Sequence, residues 1–196
     1  MMSLLEHRDR ILKNIFKPAF KTSGFSVSGT TFKKQENGFI KIFNIQSSGF
    51  NVEDHVSFYL NIGLLFPIGF EIKNEQHPKN PKGYDCQFNI RSDSLTGRNQ
   101  TYELTSKTNI QELENLLLSD IQKEILPFYE RYSTIEDCIM LNNEFPNSWT
   151  DCRPFIGLTM IKNGNIERGD QILNEFLPTT SEDWKQEIIE FRKTLN

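Results

Sequence analysis

The sequence predicts an α+β fold: a four-stranded antiparallel sheet packed on one face by an N-terminal helix and a long central helix, with a C-terminal helical tail. Three observations carry this reading. Val56, Phe58, Leu60, Ile62 and Leu64 occupy every second position, as do Tyr84, Cys86, Phe88 and Ile90, the period of strands with one buried face. Ile110, Leu113, Leu117, Ile121, Ile125, Phe128 and Tyr132 recur at steps of three or four, the period of an amphipathic helix. Asn37-Gly38 stands between two apolar runs, the signal of a tight hairpin.

In chain order, Leu5, Leu12, Ile15, Phe16, Ala19 and Phe20 mark a first helix, which Pro18 should kink and Thr22-Ser23-Gly24 should end. Two strands follow, Phe25 to Lys33 and Phe39 to Ser47. Their alternation switches parity between Val27 and Phe32 and between Ile42 and Phe43, which predicts a bulge or burial on both faces. The two regular strands come next, separated by the Gly69 to Gly83 loop with Pro78 and Pro81, and a meander is the simplest pairing. Ser92 to Thr108 reads as a polar connection. The long helix then lies on the apolar face, its stripe widened by Leu116, Leu118 and Leu126, and Pro127 should bend its last turn. Ser133 with Glu136 reads as a capping box for a short helix, Ile135 to Leu141. The pattern divides the chain into a sheet domain, 1–141, and a small helical tail, 153–196, with the boundary in Asn142 to Cys152. In the tail, Pro154 to Ile161 and Ile166 to Leu177 form a helical hairpin about Asn163-Gly164-Asn165. Thr180 and Asp183 read as a capping box before the helix of Trp184, Ile188, Phe191 and Leu195.

Composition narrows the function classes. A net charge of -4 and a pI near 5.5 argue against a nucleic-acid partner, whose phosphates call for a basic surface. Charged residues from Glu6 to Arg10 occupy the place of a signal peptide's apolar core, and no apolar run approaches the about 18 residues of a membrane span. A cytoplasmic protein with no membrane partner is expected. Cys86, Cys138 and Cys152 lack paired metal spacing and read as reduced thiols. Asn99-Gln100-Thr101 matches a glycosylation sequon, without a secretion signal to give it meaning.

A family resemblance rests on Ser23-Gly24-Phe25, Gly29-Thr30-Thr31-Phe32, Phe43 to Ser48, Phe58 to Gly63, Cys86 to Arg91, and Tyr132 to Asp137. Over about Ile11 to Met140 the chain resembles the bacterial family called domain of unknown function 4304. The resemblance implies an α+β fold and supplies no activity. The chain departs from the family's pattern in having no tryptophan in Ser92 to Leu104.

No catalytic, cofactor-binding or metal-ligating set emerges. Gly24 to Thr31 has the glycine spacing of a phosphate loop without its lysine, and it reads as the entry to a strand. Glu53-Asp54-His55 reads as a loop, and His7, His55 and His77 are scattered. Cys86 alternates with Phe88 and reads as a core residue. Trp184 reads as core, and Trp149 as a boundary pin or an exposed anchor. The polar sheet face remains: if strands two to four are neighbours, Asn44, Gln46, Tyr59, Asn61, Gln87, Asn89 and Arg91 converge on one surface. Tyr and Arg dominate binding hot spots, so the first functional reading is a non-enzymatic protein-binding module, in specific form a toxin-neutralising immunity-type protein. The alternative is a small-molecule-binding protein or hydrolase using Tyr59, Asn61 and Arg91 under the Gly69 to Gly83 loop; a third is a scaffold docking through the tail. Oligomeric state is not legible.

Overall fold

The computed structural model describes residues 2–98, 101–146, 148 and 150–195. The expectations about the sequon and Trp149 therefore lie outside the described residues. The fold is α+β, with an antiparallel sheet of six strands where four were expected. The first helix is α1, Leu4–Ile11, capped by Ser3 and Glu6, followed by a wider π turn over Leu12–Phe16 and then α2, Lys17–Thr22. Lys17 donates five residues back to the Leu12 carbonyl. The extra residue in that turn makes room for Pro18, which has no N–H to give and whose ring would collide with the preceding turn. Ile11, Phe16 and Phe20 are buried; Leu5, expected in the stripe, is exposed.

The segment expected as one strand from Phe25 is a hairpin, β1 Ser26–Ser28 and β2 Thr31–Gln35. Gly29 turns it with a positive φ of 60°, a conformation that costs glycine little. The Asn37-Gly38 hairpin forms as expected and leads to β3, Ile40–Ser47, and β4, His55–Leu65. Pairing of β3 with β4 is continuous from Ile40 to Ser47, so the parity switch at Ile42 and Phe43 is burial on both faces and not a bulge. After α3, Ile68–Glu71, comes β5, only Phe88–Arg91. Past α4, Asp93–Thr96, lies the unexpected β6, Thr101–Thr105. The order is β1-β2-β3-β4-β5, with β6 on the same flank of β4, which is long enough to pair β6 through His55–Tyr59 and β5 through Asn61–Leu64.

The central helix is α5, Ile110–Asp120, a second π turn over Ile121–Ile125, and α6, Leu126–Arg131. Leu126 donates five residues back to Ile121, the same accommodation before Pro127 as before Pro18. Its stripe packs on the sheet as expected, with Leu117, Ile121 and Ile125 buried and Leu116 left in solvent. Asp120 is buried at the end of α5 and accepts from Tyr102 Oη at 2.7 Å and from Arg98, tying β6 to the helix. The expected Ser133–Glu136 box is replaced: Asp137 accepts from the Ser133 and Thr134 amides, and its own amide donates to Thr134. A short α7, Leu141–Glu144, follows.

The helical hairpin consists of α8, Arg153–Lys162, and α9, Ile166–Phe176, and the chain ends in α10, Glu182–Lys193. Ser181, without a side-chain cap, takes the place expected for the Thr180 box. Gly157 and Gly169 let α8 and α9 touch: a Cβ on Gly169 would stand 2.5 Å from the Gly157 carbonyl oxygen. Residues Pro154 to Ile161 are all buried, and Phe155 stacks on Phe66 at 6.4 Å and meets Trp184 at 6.1 Å, so sheet and tail side chains share one apolar core. Among the described residues no helix is long and apolar enough to cross a membrane.

Candidate functional site

The register brings six of the seven expected residues onto one face. Thr31, Asn44, Asn61 and Arg91 form one row across β2 to β5; Gln46, Tyr59 and Thr101 form the next; Ile42, Gly63 and Asn89 lie on the other side of the first. Gln87 precedes β5 and serves elsewhere, its Oε1 accepting from the Phe66 amide at 2.8 Å. It lines a separate cleft of about 480 Å³ with Phe155 and Trp184.

This face is open at one end and roofed at the other. The roof is the segment after α3: Gly83 sits so close that a Cβ there would be 3.0 Å from both Asn61 Cβ and Asn89 Oδ1. Lys82 reaches down to give Thr31 Oγ1 a 2.8 Å hydrogen bond, and Lys33 donates to the Lys79 carbonyl at 2.9 Å. Beneath the roof Ile40, Ile42 and Leu65 form a second small apolar cluster with Phe70 and Cys86. Cys86 thus belongs to the polar side of the sheet, over Gly63, and does not alternate inward with Phe88. Tyr84, expected inward, stands 82% exposed on the short 3-10 turn Gly83–Asp85. That turn forms because Asp85 accepts from the Lys82 amide at 2.7 Å, a local bond that outcompetes extension of the strand.

Three of the amides on the face, Asn44, Asn61 and Gln46, are committed, while the buried Asn89 Oδ1 has no partner among the described residues. Asn44 Nδ2 donates to Thr31 Oγ1 at 3.1 Å and to the Thr30 carbonyl at 3.3 Å; Asn61 Nδ2 donates to Gln46 Oε1 at 3.0 Å. Asn44 and Asn61 are buried, while Gln46 is exposed and Tyr59, Asn89 and Arg91 are half-buried. The Arg91 guanidinium lies over the Tyr59 ring, 4.2 Å from its centroid. Stacking on the ring fixes the plane of the guanidinium. The open end is flanked by the tip of the β3–β4 hairpin, where Phe50 is 92% and Val52 58% exposed.

The three thiols are not activated as nucleophiles. Burial pushes the Cys86 and Cys152 thiols well above the ordinary range and that of Cys138 up to about 12, so each stays protonated at neutral pH. His55 faces Glu103 across β4 and β6, its Nε2 at 3.9 Å, with both side chains in solvent. Gly24 to Thr31 lies in the β1–β2 hairpin with no helix after it. Among the described residues no three His, Cys, Asp or Glu side chains converge as metal ligands would.

Thr31, Lys82 and Thr101 are among the members of the face that sequence reading missed. Thr31 was within reach, because a hairpin at Asn37-Gly38 pairing Gln35 with Ile40 fixes Thr31 opposite Asn44. Thr101 was not, since β6 shows only Tyr102 and Leu104 as apolar signal.

No curated protein and no solved structure matches the chain. A family model does match residues 16–131, from the last residue of the first π turn through the end of α6, and so spans the sheet, α2 and the central helix but not α1. The chain belongs to the family described as domain of unknown function (DUF4304).

Proposed function

We propose that the protein is a non-enzymatic binding protein that recognises another protein through the open end of the polar sheet face. The observation that carries this is the Arg91–Tyr59 stack on the sheet, with Phe50 exposed on the β3–β4 tip and Tyr84 exposed on the roof segment. Tyr and Arg are the residues most enriched in hot spots, and a prearranged pair loses little entropy on binding. Exposed Glu53, Asp54 and Glu103 border the same end, and with the net charge of -4 they favour a basic partner and speed its approach. In its specific form the reading is a bacterial cytoplasmic immunity-type protein that occludes a toxin. Binding of a small molecule or hydrolysis at Tyr59, Asn61 and Arg91 has less support, because the Asn61 amide is bound to Gln46 and lies under Gly83.

The test is affinity capture from the native host, with co-expression of proteins encoded beside it. Tyr59→Ala and Arg91→Ala should each weaken the captured complex by about 2 kcal/mol, roughly 30-fold, with the unfolding midpoint little changed. A complex that both variants bind like the wild type, or no specific partner at all, would overturn the reading.

A further inference from the structure

On the helix-covered side of the sheet two paired lysines, Lys41 on β3 and Lys34 on β2, break the apolar pattern. Lys41 alternates with Phe39, Phe43 and Ile45, yet its side chain is only 2% exposed. Lys34 is its neighbour in register on β2. Glu36 Oε1 lies 2.7 Å from the Lys41 Nζ and 3.7 Å from that of Lys34, and the Phe39 ring centroid is 5.9 Å from Lys41 Nζ. An ammonium has three N–H donors; among the described residues Lys41 has one acceptor, Glu36. The group faces a cavity of about 310 Å³ between β2, β3 and the end of the central helix. Phe25, Leu126 and Tyr129 give it apolar walls, and exposed Glu130 stands at its mouth with half-buried Lys34.

A buried ion pair of this kind seldom stabilises a fold more than an apolar pair of equal volume. Positions where local pattern and global fold disagree are where function is expected. The charges decide the ligand class. Two ammoniums and two carboxylates line the space, so an isolated anion or cation would meet like charges as well as opposite ones. A molecule carrying both signs meets each with its complement. The volume is at the small end of the range for ligand sites, about 300–1,000 Å³.

We propose that this cavity binds a small zwitterion with an apolar body, of the free amino-acid class. Its carboxylate accepts from Lys41 and faces Lys34, its ammonium faces Glu36 and Glu130, and its side chain lies on Phe25, Leu126 and Tyr129. The site is on the opposite side of the sheet from the recognition face and stands independently of it.

Leucine, methionine and phenylalanine are the probes, each titrated to about 10 mM, a concentration that detects millimolar dissociation constants. At least one should raise the thermal unfolding midpoint saturably and move amide resonances around Lys41 and Tyr129. Leucine's two halves, 4-methylpentanoate and 3-methylbutylamine, should need about tenfold more, equivalent to losing one charged contact. Lys41→Met should abolish the response. Lys34→Met and Glu130→Gln, at the rim and harmless to folding, should each weaken it about fivefold, a partial loss of one rim charge. The proposal is overturned if none of the three amino acids acts on the wild type, if the rim variants respond like the wild type, or if 4-methylpentanoate matches the amino acids.

Discussion

Replacing Lys41 by alanine is expected to lower the free energy of unfolding by about 3–5 kcal/mol, the usual cost of removing one partner from a buried ion pair. The loss has two sources. Glu36, with a side chain only 19% exposed, is left with Lys34 at 3.7 Å, and the removed methylenes leave a void against Phe39 and Tyr129. The double variant Lys41→Met with Glu36→Gln removes both charges and keeps the volume, so most of the stability should return. Urea unfolding of the two variants beside the wild type checks this. A Lys41→Ala loss below about 1 kcal/mol would place the ammonium in solvent, contrary to its burial.

The second large effect is expected at Phe20, on α2. Its ring lies 4.3 Å from that of Phe43, 4.8 Å from Phe32 and 5.1 Å from Phe25, with Phe16 also stacked on Phe43. Phe20→Ala should cost about 3–5 kcal/mol, to be set against a total stability of about 5–15 kcal/mol for a typical domain. The helix would lose its hold on β2 and β3 together, so the denaturation midpoint should fall steeply. Phe50→Ala is the control: a ring 92% exposed should change stability by no more than about 0.5 kcal/mol.

Where sequence reading succeeded, one periodicity ran uninterrupted. Val56 to Leu64 became β4 almost to the residue, and the Ile110 to Tyr132 stripe became the helix on its apolar face. Where it failed, a local bond or a distant partner decided. The Asp85 side chain closes a turn on Lys82, which throws Tyr84 outward and Cys86 onto the other face. β6 exists because β4 is long enough to pair two short strands on one flank, information held in β4 and not in Thr101–Thr105. The candidate face was legible as a set of residues, since parity and order place Asn44, Tyr59, Asn61 and Arg91 in adjacent rows. Its roof was not, because the contact of Gly83 with Asn61 joins segments whose only link is the loop between them. Lys41 passed unnoticed because a lysine inside a strand reads as a solvent-facing position until the register shows its neighbours.

The central claim, that the open end of the polar face meets a protein partner, is tested most directly by site-specific photo-crosslinking in the native host. A photoreactive residue at Gln46, exposed beside Tyr59, should yield one discrete adduct, and the same probe at Gln171, exposed on α9, should yield none. A discrete adduct from Gln171 with none from Gln46 would contradict the account.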